Sequence, residues 1–421
     1  MASLEADFLG IKSPNPFWLA SAPPTDKKIN VDRAFEAGWG GVVWKTLGDQ
    51  VKNVSSRYAA NDFYGQKVMG LNNIELITDR PLEINLKEIR EVVREWPDRA
   101  VVVSLMANTD RESWHDLVKR SQDTGCHGFE LNFGCPHGMV ERGMGAAVGQ
   151  DPEIAKMIVE WVMEVAEIPV ITKLTPNVMS VVPTGRGAVE GGTNGLSLIN
   201  TIQSIIGVDL DTLVPYPSVG KTSAFGGYCG PAVKPIALKH LVTLLQDSVT
   251  KDVPVSGMGG VSTWRDAAEF MLLGAQNVQV CTAAMKYGFR IIRDLCDGLN
   301  NWMDEKGYKT LDDFVGLSYK KVTAWEDLDL NHHVVANIDQ DKCISCGLCY
   351  IACEDASHQA IFIEKGEINN KYTINEPECV GCNLCYLMCP VDGCITMVEK
   401  RKGDYINWKD WQEQALPLND H

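Results

Sequence analysis

The chain has 421 residues, 45% of them hydrophobic and 22% charged, with a formal net charge of −16 at pH 7. That length exceeds one typical domain, the composition is that of a folded protein, and so acidic a chain repels phosphate backbones, which argues against a nucleic-acid partner. The start Met-Ala-Ser-Leu-Glu-Ala-Asp lacks the parts of a signal peptide and no apolar run approaches the ~20 residues of a membrane helix, so a soluble cytoplasmic protein without a membrane partner is expected.

From residue 1 to 306, short apolar or β-branched runs alternate with longer helical patterns. The predicted strands are, in chain order, 16–22, 40–45, 101–106, 128–133, 169–174, 195–200, 254–258 and 277–282. Helical patterns between them include 27–38, 85–96, 112–124, 151–167, 233–247 and 263–274. Eight strand-then-helix repeats predict an α/β fold, a (β/α)8 TIM barrel, in preference to an open doubly wound sheet. Three connections, 46–84, 134–150 and 201–232, are too long for plain loops. Each follows a strand, and in a barrel those segments build the active face. Residues 307–334 lose the rhythm and read as a connector, 335–399 form a second domain, and 400–421 form a polar tail whose Trp408 and Trp411 suit packing on a neighbour.

Fourteen cysteines is a high count for a reducing compartment, where cysteines serve as ligands or catalysts more than as disulfides. Eight fall in two runs, Cys343-x2-Cys346-x2-Cys349-x3-Cys353 and Cys379-x2-Cys382-x2-Cys385-x3-Cys389-Pro390. This is the spacing of bacterial ferredoxins, in which three thiolates converge on one cube and the fourth reaches the other. One [4Fe–4S] cluster is expected on Cys343, Cys346, Cys349 and Cys389, and a second on Cys379, Cys382, Cys385 and Cys353. Zinc sites pair CxxC with CxxC and do not repeat this pattern. Glu354 stands where a proline often follows the fourth cysteine, and Cys394 reads as a packed thiol rather than a ninth ligand.

Several predicted strands end in polar residues: Lys45, Asn132, Lys173 and the pair Asn200-Thr201. Burying a lysine is costly unless it meets an anion, so two at two strand ends suggest a shared anionic ligand on the C-terminal face. Gly257-Met258-Gly259-Gly260-Val261-Ser262 opens a helix after strand seven, and strand eight ends at Cys281-Thr282, which is where barrels often hold a phosphate. No complete G-x-G-x-x-G occurs, so the electrons come from elsewhere than a nicotinamide bound to this chain. Cys135 heads a loop carrying Gly134, Gly138, Gly143, Gly145 and Gly149, which reads as a lid with a reactive thiol. Cys126, Cys229, Cys281 and Cys296 read as inert.

The segment Glu130-Leu131-Asn132-Phe133-Gly134-Cys135-Pro136-His137-Gly138 resembles the active-site loop of dihydropyrimidine dehydrogenases. So do Lys173-Leu174-Thr175-Pro176-Asn177, Asn73-Ile74-Glu75-Leu76, Asn200-Thr201 and the doubled cysteine runs, which together span nearly the whole chain. The chain lacks the FAD- and NADPH-binding half of the long animal enzyme and resembles the smaller bacterial arrangement, in which a separate FAD-containing iron–sulfur flavoprotein subunit oxidises NADH. The resemblance implies a hetero-oligomer, FMN in the barrel, and reversible reduction of uracil or thymine in pyrimidine degradation. It implies FMN contacts from Ser21, Ala22, Lys45, Lys173, Gly227, Gly259, Gly260 and Thr282, pyrimidine contacts from Asn73, Glu75, Asn132, Asn200 and Thr201, and Cys135 as general acid. A thiol with a reference pKa near ~8.5 is mostly protonated at neutral pH and suits that role. A dihydroorotate dehydrogenase is the nearest rival, disfavoured by His137 after Cys135-Pro136, by Glu75 opposite orotate's carboxylate and by the fused cluster domain. A non-catalytic electron carrier, which needs no thiol on such a loop, is a rival from another class, and a sensor that binds pyrimidine without turnover is a third.

Overall fold

The computed structural model describes residues 2–63, 66–136, 143–355, 357–367, 369–401 and 403–415. His137, Gly138, Glu141 and Arg142 of the glycine-rich loop lie outside the described residues. The chain divides into two compact units, Met1–Val322 and Thr323–His421.

The first unit is a closed parallel barrel, as the alternation predicts. Its strands are β1 (Phe17–Leu19), β2 (Gly41–Leu47), β3 (Ala100–Leu105), β4 (Gly128–Asn132), β5 (Val170–Lys173), β6 (Gly195–Leu198), β7 (Val255–Met258) and β8 (Asn277–Val280). Each pairs with the next, and β8 closes on β1 with Val278 opposite Phe17. Every residue of β2 and β3 is buried. Strands covered on both faces read as continuous apolar runs, which is why the sequence reveals them.

Helices alternate with the strands, and their starts carry local signals. Asp110 accepts from Ser113 N, Asp151 accepts from Glu153 N and Ile154 N, and Thr263 with Asp266 forms a reciprocal capping box. Among the helices of eight or more described residues in this unit, two lie outside the predicted stretches. Val182–Glu190 contains Pro183, Gly185 and Gly187, so its propensity is poor and packing must hold it. Ile291–Lys306 buries Ile292, Leu295, Leu299 and Met303 along one stripe.

Two of the three long connections are not loops. Segments from 46–84 and 201–232 join in one antiparallel sheet ordered Ile202–Ser204, Gly226–Cys229, Gln66–Asn73, Tyr58–Phe63. Gly227 stands opposite Asn73 across it, and Asn73 opposite Tyr58. This sheet follows β2 and β6 in the chain and so belongs to the face where barrel chemistry resides.

The unit boundary falls inside the predicted connector. Phe314 is fully buried in the barrel unit, its ring 5.0 Å from Trp302 and 5.6 Å from Tyr308, so the connector's first part is barrel structure.

In the second unit, Val334–Ile338 pairs with Ile395–Glu399 and Ile361–Glu364 with Lys371–Ile374, both antiparallel. Two short helices, Leu348–Glu354 and Leu384–Met388, carry cysteines of the two runs. In the tail, Trp408 stacks on Trp411 at 5.1 Å and meets Trp325 edge-on at 5.4 Å, so these rings pack within their own unit. Among the described residues, no helix is long and apolar enough to cross a membrane.

Candidate active site

A cavity of about 1140 Å³, counting the part open to solvent, lies at the C-terminal ends of the barrel strands. The bottoms of its walls come from the strands and its rim from the antiparallel sheet. Lys45 and Thr46 enter it from β2, where the ladder to β3 shifts register between Trp44 and Leu47. Such an irregularity re-aims side chains that a regular strand would send elsewhere.

The two strand-end lysines each have a carboxylate within the protein. Lys173 Nζ lies 3.1 Å from Glu130 Oε1, and Glu130 Oε2 accepts from Ser197 Oγ and Gln279 Nε2, both at 2.9 Å. Lys45 Nζ lies 2.8 Å from Glu75 Oε1 and 3.8 Å from Asp26. Arg57 joins Glu75 Oε1 at 2.9 Å and the Tyr58 hydroxyl donates to Oε2. Burial pushes the Asp26 carboxyl above its usual range despite the opposing pull of Lys45. The two lysines therefore do not depend on one shared anionic ligand; each brings its own counter-charge into the wall.

Asn73, Glu75, Asn132, Asn200 and Thr201 all line this cavity. The amides hold one another. Asn200 Nδ2 donates to Asn132 Oδ1 at 2.9 Å, Asn132 Nδ2 donates to Thr46 Oγ1 at 3.0 Å, and Asn73 Nδ2 donates to Gly227 O at 3.0 Å. Side chains locked in this way hold their amide groups at fixed positions on the cavity wall.

Cys135 is buried and lines the same cavity. Its carbonyl accepts from Ala146 N at 3.0 Å, and Gln203 Nε2 holds Pro136 O at 2.9 Å. Two neighbouring glycines allow close approach. A Cβ on Gly134 would stand 2.4 Å from that of Asn200, and one on Gly145, at φ +59, would meet the Cys135 carbonyl at 2.7 Å.

Ser21, Ala22, Gly259, Gly260 and Thr282 line the remaining wall. Gly227 lies behind it, holding Asn73. Gly259 and Gly260 sit at φ +119 and +84, a left-handed turn that lines the cavity just before the Thr263-capped helix. Gln279 Oε1 is buried with no hydrogen-bond partner among the described residues. A glycine turn, an orphaned acceptor and two buried lysines in one cavity fit a flavin mononucleotide. Cys229 and Cys281 also line it, and burial pushes the Cys229 thiol up and that of Cys281 up to about 12. Burial thus favours the protonated thiol at both positions.

In the second unit the cysteines gather across the two runs. One cavity is lined by Cys343, Cys346, Cys349 and Cys389, the other by Cys353, Cys379, Cys382 and Cys385. Each set draws three residues from one run and the last of the other. No disulfide joins any of them, and a four-thiol set of this kind fits a [4Fe–4S] cube. Cys394 is buried beside the first set, its thiol 3.6 Å from Asp339 O.

Sequence reasoning missed Arg57, Tyr58, Thr46 and Gln279, which sit in ordinary-looking stretches. Glu130 carried a signal, because a carboxylate within an otherwise apolar strand needs a buried partner.

Residues 3–303 match the family model described as dihydroorotate dehydrogenase, and residues 336–397 match the 4Fe-4S dicluster domain. The chain is 39% identical over 359 residues to the NAD-dependent dihydropyrimidine dehydrogenase subunit PreA of Escherichia coli K12, covering 85% of this chain and 87% of that one. It is 41% identical over 330 residues to the chloroplastic dihydropyrimidine dehydrogenase (NADP(+)) of Arabidopsis thaliana, covering 76% and 78%. The dihydroorotate dehydrogenase B (NAD(+)) catalytic subunit of Pyrococcus abyssi is 35% identical over 317 residues, which is 99% of that chain but 75% of this one. The chain thus belongs to the dihydropyrimidine dehydrogenase family of oxidoreductases, uniting a dihydroorotate dehydrogenase-type barrel, which implies FMN, with a 4Fe-4S domain, which implies iron–sulfur clusters.

Proposed function

We propose that the chain is the catalytic subunit that reversibly reduces uracil or thymine to the 5,6-dihydro form in pyrimidine degradation. Electrons would arrive from a separate NADH-oxidising flavoprotein subunit through two [4Fe–4S] clusters. The observation that carries this reading is the convergence of Cys135, the amides of Asn73, Asn132 and Asn200, and the Glu75 carboxylate in one cavity beside Lys45 and Lys173.

FMN, when bound, supplies the hydride for C6 of the ring from its N5. Asn73, Glu75, Asn132, Asn200 and Thr201 hold the ring by its alternating N–H and C=O edge. Cys135, held by its own carbonyl on Ala146 N, gives a proton to C5 from the opposite face and recovers one in the reverse direction. Lys45 and Lys173, each held by its own carboxylate, present ammonium N–H donors in the wall where negative charge develops during transfer. The cysteine-lined cavities of the second unit support cubes on Cys343, Cys346, Cys349 and Cys389 and on Cys379, Cys382, Cys385 and Cys353.

The second reading is dihydroorotate oxidation, favoured by the barrel's family match and the Pyrococcus relative. Against it stand the Glu75 carboxylate, which would face orotate's own, and the length of the chain, since that relative is matched over 99% of itself but only 75% of this chain. The test is anaerobic. The chain loaded with FMN and clusters is reduced with dithionite, freed of excess reductant, and offered uracil or orotate while the flavin spectrum is recorded. Reoxidation by uracil with dihydrouracil formed supports the proposal. Reoxidation by orotate alone transfers the chain to the second reading, and silence toward both makes a carrier the better description.

A further inference from the structure

Glu75 receives donors of two kinds. Lys45 Nζ and Arg57 Nη1 bind Oε1 at 2.8 and 2.9 Å, and both carry fixed positive charge. The Tyr58 hydroxyl binds Oε2 and is neutral. Lys45 is buried at the end of β2. Arg57 is anchored at the start of the outer sheet strand, where its carbonyl accepts from Ile74 N at 3.0 Å. Tyr58 begins that strand opposite Asn73, lines the cavity, and stays 39% exposed. The most exposed of the three donors is therefore also the one that faces both solvent and the site.

The exchange chemistry follows from the groups. Removing either cation from the carboxylate would strip a charge-assisted bond inside a largely buried pair. Replacing a neutral O–H donor on Oε2 by a neutral N–H donor keeps the number of bonds and the charge. A ring presenting an N–H at that point can displace the phenol at little cost, while a ring lacking it leaves the carboxylate oxygen to the phenol. Burial, followed by the bond to Glu75, raises the phenol's pKa, so Tyr58 remains a donor across the working pH range.

We infer that Tyr58 is a specificity-determining gate: its hydroxyl holds Glu75 Oε2 in the substrate-free protein and yields that oxygen to the N–H of an incoming cyclic imide. The inference rests on the reading of Glu75 as a substrate-binding residue. Tyr58 thereby competes with every ligand for Glu75, and only ligands with a matching donor win. This role asks for a residue that is near-isosteric with phenylalanine but polar at its tip, placed on a half-exposed strand end.

The test is a double-mutant cycle on the oxidised chain loaded with FMN and clusters, with uracil affinity read from the perturbation of the flavin spectrum. Tyr58→Phe removes the competing donor and keeps the ring, so uracil should bind roughly threefold to tenfold more tightly, the worth of one hydrogen bond. Glu75→Gln should weaken uracil, and Tyr58→Phe added to it should then give no gain. Equal or weaker binding by Tyr58→Phe, with Glu75→Gln still weakening uracil, overturns the gate and leaves the substrate role of Glu75 standing. Unchanged affinity in Glu75→Gln overturns the substrate role and the gate with it. A tyrosine that merely supported the fold would show no coupling to Glu75 in uracil affinity.

Discussion

Lys173 Nζ lies 3.1 Å from Glu130 Oε1, and the Glu130 side chain is wholly buried in the barrel. The pair bridges β4 and β5, whose residues Asn132 and Lys173 stand opposite each other, and Glu130 is further held by Ser197 from β6 and Gln279 from β8. One carboxylate thus ties four strands together beneath the cavity. Glu130→Gln should cost roughly 3–5 kcal/mol in urea unfolding, because it leaves a buried ammonium without its counter-charge. Replacing both partners, Glu130→Leu with Lys173→Met, should recover much of that loss, since no charge then remains to be desolvated. A double variant as unstable as Glu130→Gln would show that the pair contributes through geometry rather than charge.

Cys135→Ala should lower turnover with uracil by roughly 10²–10⁴-fold, the usual worth of a positioned general acid. The substitution keeps the Cys135 carbonyl on Ala146 N, so the loop and the absorbance of the flavin and clusters should be preserved. Cys135→Ser should fall between the two, because its hydroxyl gives up a proton less readily than a thiol. Full turnover in the alanine variant, with cofactors intact, would remove Cys135 from the chemistry.

The barrel was legible because its strands are buried on both faces and therefore read as unbroken apolar runs such as Val101-Val102-Val103. The antiparallel sheet over the site was not. Gln66–Asn73 reads Gln-Lys-Val-Met-Gly-Leu-Asn-Asn, without alternation, and its partner Gly226–Cys229 lies over 150 residues away in the chain. Site residues at strand ends, such as Asn132 and Lys173, could be named from polar endings on apolar runs. Their counter-charges could not, because Glu75 meets Lys45 across 30 residues and Glu130 meets Lys173 across 43. Of the glycines around Cys135, Gly134 and Gly145 mark close contacts with Asn200 and the Cys135 backbone, which no local pattern reveals.

His240 sits buried on the helix Lys234–Gln246, and its Nδ1 has no hydrogen-bond partner among the described residues. Burial, with a smaller push from Lys239, lowers its pKa from 6.5 to about 4. The folded protein therefore holds it neutral while the unfolded chain protonates it below pH 6.5. Between those values the unfolded state binds more protons, so stability contributed by neutral His240 is complete above pH 6.5 and is lost as pH falls toward 4. His240→Leu removes this titration. Urea midpoints measured across the window should decline more steeply with acid in the parent than in the variant, and parallel declines would assign the acid sensitivity to other groups.

The two cysteine sets follow the crossed assignment that the run spacing predicts, and that assignment can be tested. Cys353 belongs to the first run but lines the cavity of Cys379, Cys382 and Cys385, while Cys389 belongs to the second run and lines the cavity of Cys343, Cys346 and Cys349. In the reduced, cluster-loaded chain, Cys353→Ser should disturb the same electron paramagnetic resonance signal as Cys379→Ser, and Cys389→Ser the same signal as Cys343→Ser. Each pair spans the gap between the runs, so the loss of a signal sorts by cavity and not by position in the chain. The cause is geometric: the residues after x3 stand at the far ends of Leu348–Glu354 and just past Leu384–Met388, turned from their own run toward the other. If Cys353→Ser and Cys343→Ser instead damaged one signal together, each run would hold its own cluster and the crossed assignment would be wrong.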